Sequence, residues 1–201
     1  MGSGPSRTVY AVSFSIMATS TLDALLQSFV GRAAEPPRVA RYPVNAAMIR
    51  NWVEVHDDYN PVYVDADAAR ATGRSDIVCP PAMLSTWVMS GYRRYRQVQQ
   101  MRAEGRSEDF AYSELMNHLD RAGFTSVVAT NIEQTYHRDL HPGDHVTATF
   151  TIESVSPLKT TGLGDGYFIT LYKQYRTGTS DLVAEERFRL LRFRPAAKEP
   201  R

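Results

Sequence analysis

The sequence predicts an α+β fold in which an antiparallel sheet wraps around one central helix. Three observations carry this. Apolar residues recur at helical spacing through the first half of the chain, then give way after Thr125 to β-branched and aromatic runs with strand-like patterning. The stretch AMLSTWVMSG, Ala82 to Gly91, carries no charge, which suits a helix buried on most sides. The later strand candidates are joined by short connections rich in Gly, Pro, Asp and Ser, as antiparallel neighbours require.

Leu22, Leu25, Leu26, Phe29 and Val30 place a first helix over Thr21 to Val30, with Ser20 as N-cap and Gly31 as stop. Pro36 and Pro37 imply an extended linker, followed by a short strand from Arg38 to Tyr42. Asn45 can cap a second helix running through Val55, whose Met48, Ile49, Trp52 and Val53 face one way. Pro61 turns the chain, Ala66 to Ala71 reads as a short helix stopped by Gly73, and Pro80-Pro81 opens the uncharged third helix. Tyr92 to Arg121 is charged and helix-prone, interrupted by Gly105 and Ser107, and reads as a helical insertion (92–121) projecting from the domain.

Four long strands follow, within SVVATNIEQTYH, HVTATFTIESV, GYFITLYKQYR and LVAEERFRLLRFR. HPGD (141–144) is expected to join the first pair as a hairpin, KTTGLGDG (159–166) the second and RTGTSD the third. A sheet covering one buried helix is the hot-dog arrangement. Its open edges favour pairing with a second subunit. Residues 1–19 read as a loose tail, 20–195 as one domain and 196–201 as a second tail.

The composition is that of an ordinary globular protein, and 23 basic against 22 acidic residues leave a formal charge of +1. Nothing in it points to nucleic acid or a membrane. Cys79 is the single cysteine, which excludes an internal disulfide and a cysteine-rich zinc site and fits a cytoplasmic protein. His137, His141 and His145 straddle a strand–turn–strand rather than one helix, and no carboxylate set completes them, so no metal is expected. The glycine-rich KTTGLGDGYF joins two strands and lacks the strand-to-helix setting of a phosphate-binding loop.

The run D-Y-N-P-V-Y-V-D-A-D-A-A, Asp58 to Ala69, followed by G-R-S-D-I-V-C-P-P-A-M and later by Y-H-R-D-L-H-P-G-D, Tyr136 to Asp144, resembles the signature of the MaoC-like enoyl-CoA hydratases of hot-dog fold. The resemblance is closest to their fatty-acid-synthase-like N-terminal dehydratase branch. Within it, the blocks at 126–138, 159–168 and 188–195 are most similar to the larger MaoC-like subunit of the actinobacterial steroid side-chain enoyl-CoA hydratase.

Hydrating a trans-enoyl thioester needs a base for the water, an acid for the α-carbon and donors for charge on the thioester oxygen. The resemblance places the family's catalytic Asp on Asp58, its His on Tyr63, and the loop corner on Asn60 and Pro61. A phenol of pKa about 10 is a poor base where imidazole, at about 6.5, is a good one. The resemblance therefore implies a half-site subunit of a heteromer. A partner hot-dog subunit supplies the Asp/His pair, in a heterodimer or heterotetramer, while this chain shapes the tunnel for a bulky, steroid-derived acyl-CoA. A downstream thiolase-like aldolase is a further implied partner. Backbone donors near Ala82 would assist binding, and Arg138 and Lys159 would meet coenzyme A phosphates. Coenzyme A enters only as part of the substrate, and no other cofactor is implied. Two alternatives remain: a self-sufficient hydratase or dehydratase using Asp58 with Tyr63 or His56, and an acyl-CoA-binding scaffold. On residues alone, Asp58 and Asn60 serve equally as turn formers, Tyr63 as a cavity-lining aromatic, Asp65 and Asp67 as loop and cap residues, and Cys79 as packing.

Overall fold

The structure, a computed structural model, describes residues 21–178 and 181–195. The expected tails, the Ser20 cap and residues 179–180 of the RTGTSD turn lie outside the described residues. One antiparallel sheet forms the frame, ordered β1-β3-β5-β6-β2. Its middle is β5 (Gly164–Thr177), paired with β3 (Val146–Val155) on one side and β6 (Asp181–Pro195) on the other. The edges are β1 (Ala33–Val39) beside β3 and β2 (Ser126–Tyr136) beside β6, while β4 (Lys159–Thr161) folds back onto β5. Glycine at 166 lets the central pair close, because a Cβ there would stand 2.4 Å from the Arg192 carbonyl oxygen on β6.

Alternation along β3 and β5 turns Ala148, Phe150, Ile152, Tyr167, Ile169, Leu171 and Tyr175 to the inner face, where all are buried. Helices and loops cover this face. Leu26 of α1 (residues 21–27) and Phe29 just beyond it, Ile49 and Val53 of α2 (Ala46–His56), and Met83, Leu84 and Trp87 share one hydrophobic cluster with it. Asn45 caps α2 as expected, its side-chain oxygen accepting from the Met48 N–H at 3.0 Å.

Four details depart from expectation. Pro36 and Pro37 form no linker but lie inside β1, an edge strand whose pairing with β3 is twice shifted in register; an edge with bulges tolerates residues that cannot donate to a ladder. HPGD is a genuine turn, with the Asp144 N–H on the His141 carbonyl at 3.0 Å, yet β2 and β3 are not paired. The connection is drawn across the molecule instead: the His137 N–H bonds Val183, Leu140 accepts from the Cys79 N–H at 2.7 Å, and the Gly143 N–H bonds Val44.

The uncharged third helix begins at Pro81 as expected but winds as a 3-10 segment, Pro81–Val88, and ends where Met89 turns extended. A second helix, α4 (Gly91–Ala103), then starts afresh. The insertion projects only in part. α4 buries nothing, whereas α5 (Ala111–Arg121) buries Ala111, Leu115 and Leu119 and lies beside β1. The four-residue spacing of those three side chains was the available signal.

Candidate functional site

The signature loop is built by successive caps. α2 ends at Asp57, held in the left-handed region at φ 55°, and the Asp58 N–H closes back on Val53 at 3.1 Å. Asn60 then caps a single 3-10 turn, Pro61–Tyr63, its side-chain oxygen accepting from the Val62 N–H at 3.3 Å. Asp65 caps α3 (Ala66–Ala71) by accepting from the N–H groups of Asp67 and Ala68, and Asp67 pairs with Arg70. Two ties dock this loop on the next part of the chain: the Val78 N–H on the Val62 carbonyl at 3.1 Å, and Arg74 on Asp139 at 2.8 Å.

Tyr63 is half-buried against the core, in the electrostatic reach of Asp58, Arg74, Asp139 and Cys79. Burial, reinforced by the Asp58 carboxylate and only partly offset by Arg74, pushes its phenol above the ordinary range. It stays protonated at neutral pH and can donate a hydrogen bond, but not accept a proton as a base. His56, the other base considered, is exposed on the last turn of α2, stacked on Trp52 at 3.9 Å with Nδ1 on the Trp52 carbonyl. Cys79 is buried, and that burial pushes its thiol up to about 12 although the Trp87 indole donates to the sulfur at 3.2 Å. Such a thiol is inert.

Beside the signature loop lies a small cavity of about 30 Å³, bordered by Cys79, Pro81, Leu84, Tyr136 and Arg138. This is the room of roughly one water molecule, far below the several hundred Å³ of a ligand pocket. Ala82 stands exposed at the head of the 3-10 segment, where the first N–H groups of a helix point outward without intrahelical acceptors. Arg138 borders the cavity but turns its guanidinium to the Asp139 carbonyl, Asp144 and Thr177. Lys159 is exposed at the first residue of β4. The three histidines are separate: His137 meets Glu185, His141 meets the Ile77 carbonyl, and no metal-holding cluster exists among the described residues.

A polar relay that residue-by-residue reading missed enters the same cavity. Glu186 on β6 is 2% exposed and accepts from Lys173, from the Tyr175 hydroxyl at 3.2 Å and from Gln134 Nε2 at 2.8 Å. Because a carboxylate only accepts, Gln134 must face it with its NH2 group and present its oxygen outward. The Tyr136 hydroxyl, at the border of the cavity, donates to that oxygen at 2.6 Å, with the Pro81 carbonyl as a second, longer acceptor at 3.3 Å. The strand register unites these residues, since Lys173, Glu186 and Gln134 stand opposite one another across β5, β6 and β2. Only the alternation of charged residues in LYKQYR and VAEERF hinted at it.

Fold and site together define a dehydratase-type hot-dog domain whose signature loop carries Asp58 and Tyr63. The chain belongs to the FAS1-like dehydratase domain region family, whose profile matches residues 28–186. It is 46% identical over 174 residues to a probable enoyl-CoA hydratase alpha subunit of Thermomonospora curvata, covering 87% of this chain and 52% of that protein. It is 44% identical over 167 residues to the 3-oxo-4,17-pregnadiene-20-carboxyl-CoA hydratase alpha subunit of Mycobacterium tuberculosis, covering 82% and 50%. The chain thus spans about half the length of these curated relatives. Among solved structures, it superposes on a chain of the ChsH1-ChsH2 complex of Mycobacterium tuberculosis with a TM-score of 0.73 and 38% identity, covering 91% of this chain and 95% of that one.

Proposed function

We propose that this chain is the half-site subunit of a heteromeric enoyl-CoA hydratase acting on a bulky, steroid side-chain acyl-CoA, with a partner hot-dog subunit supplying the Asp/His pair. The carrying observation is Tyr63 at the histidine position, with a phenol whose pKa burial raises rather than lowers. The small cavity supports the same reading: about 30 Å³ cannot house an acyl group, so the tunnel needs a second wall. Its near relatives are named alpha subunits, and the structure it superposes on is a complex of two different chains.

In this scheme the partner's pair activates water and protonates the α-carbon. Asn60 holds the loop corner, Ala82 offers its N–H toward the thioester oxygen, Tyr63 can add one donated hydrogen bond, and Arg138 and Lys159 border the route of the coenzyme. The heteromer works in the cytoplasm, with a thiolase-like aldolase taking up the product; no described helix is long and apolar enough to cross a membrane.

The test is a hydration assay of the chain alone and with a catalytic hot-dog partner. The chain alone should show no turnover, and Tyr63→Phe should leave kcat/KM of the complex within about fivefold, because one neutral hydrogen bond is worth roughly 1 kcal/mol or less. Turnover by the isolated chain, abolished by Asp58→Ala, would instead establish a self-sufficient enzyme. Thioester binding without turnover in any pairing would leave a scaffold.

A further inference from the structure

A groove of about 230 Å³ separates the end of β1 from the head of α4, bordered by Arg38, Arg41, Arg94, Val39 and Met89. Its charge is concentrated. Three of the residues bordering it are arginines and none is acidic, in a chain whose overall charge is +1. Two of the groove arginines are held in place by partners. Arg38 lies over the Phe150 ring at 4.8 Å and bonds Glu35 at 2.9 Å, and Arg94 pairs with Glu108.

Arg41 is different: it makes no hydrogen bond or ion pair among the described residues, so its full positive charge is available. It lies across Gly91, where an added Cβ would come within 3.6 Å of Nη2 and where φ of +73° disfavours any side chain. Beside these cations, Val39 and Met89 are 60% and 70% exposed and offer an apolar bed. Fixed guanidinium forks next to an apolar shelf suit a phosphorylated, ring-bearing group. The groove is smaller than the roughly 300 Å³ of a pocket that encloses a whole ligand, so it fits one end of a longer molecule.

The fold supplies the other end. Pro81 and Leu84 border the small cavity beside the signature loop, while Val88 and Met89 border the groove. One 3-10 segment therefore links the two, and its eight residues rise roughly 2 Å each, or about 16 Å in all. We propose that the groove binds the phosphorylated adenosine end of a coenzyme A thioester. Arg41 is the principal phosphate ligand, flanked by Arg38 and Arg94, and the pantetheine arm follows the 3-10 segment to the cavity. This deepens the acyl-CoA reading above and rests on it.

Adenosine 3′,5′-bisphosphate, which carries no acyl group, is the probe. Titrated calorimetrically into the chain, it should bind with an affinity that Arg41→Ala lowers by about tenfold or more, as loss of a charge-assisted bond predicts. Arg121→Ala, the same charge change on α5, should alter it less than about twofold, as an exposed charge outside the groove predicts. Arg94→Gln should weaken it as well, with both groove variants unfolding at the wild-type temperature. Binding unaffected by Arg41→Ala, lowered equally by Arg121→Ala, matched by inorganic phosphate, or absent altogether would overturn the assignment. The function stands or falls separately: Arg41-dependent binding of the bisphosphate without hydration by any heteromer would keep the site and sink the hydratase reading.

Discussion

Glu186 shows what a single buried charge commits its neighbours to. At 2% exposure its carboxylate is tolerable only because Lys173, Tyr175 and Gln134 all donate to it, and that arrangement fixes Gln134 and then Tyr136 at the cavity mouth. Removing one partner of such a pair leaves the other charge stranded. Lys173→Met should therefore destabilise the chain by about 3 kcal/mol or more in urea unfolding, although methionine fills a similar volume. Combining it with Glu186→Leu should recover a good part of the loss, since an apolar pair carries no stranded charge. A single variant as stable as the wild type would show that Tyr175 and Gln134 suffice to hold the carboxylate. The same residues mark the reach of sequence reading at this scale. Tyr63 could be singled out because it lies within the run Asp58 to Ala69 that carries the resemblance, whereas Glu186 and Gln134 lie 52 residues apart and meet only through the register of β6 and β2.

Among the elements, β2 is the longer of the two open sheet edges. It is eleven residues long, pairs on one side only with β6, and exposes Val127 and Ile132 at 59% and 62%. SVVATNIEQTY contains no proline or lysine to discourage a further strand. The half-site proposal predicts that its partner docks on this edge. Ile132→Lys should abolish the heteromer in sedimentation velocity while changing the stability of the isolated chain by less than about 0.5 kcal/mol, the usual range for an exposed site. A heteromer that survives the substitution would place the partner elsewhere. The four long strands could be read from patterning, and so could α2 and α3, whose caps Asn45 and Asp65 act locally. What could not be read depended on distant contacts. HPGD is a hairpin signal that hydrogen bonds to Val44 and Val183 override, and the prolines of β1 are tolerated because, among the described residues, only β3 pairs with that strand. The division of the uncharged third helix at Met89 had no local marker except Gly91.

For the molecule as a whole, the buried polar groups set a common direction of response to alkali. Burial is the leading cause of a raised pKa at Tyr63, Tyr112, Tyr136, Tyr167 and Tyr175, and it carries Cys79 from an ordinary 9.0 to about 12. Each is an acid whose neutral form the fold retains, so above its unfolded pKa the folded chain holds more protons than the unfolded one. Stability must then fall as pH rises. Cys79 begins the decline near pH 9 and continues it to about 12, at about 1.4 kcal/mol for each pH unit within that window, and the tyrosines join from about pH 10. The urea midpoint should be flat between about pH 7 and 8, fall from about 9 and steepen beyond 10. Cys79→Ala, which also removes the sulfur that accepts from Trp87, should lower the whole curve yet flatten it between about pH 9 and 10. Phenolate absorbance recorded on the same samples should rise in two stages, the buried set ionising only as the sheet unfolds. A midpoint that stays level through pH 11, or a single ionisation stage, would mean that these side chains are reached by water in the folded protein. The covered inner face of the sheet would then be open, and the tight cavity beside the signature loop would no longer argue for a second chain.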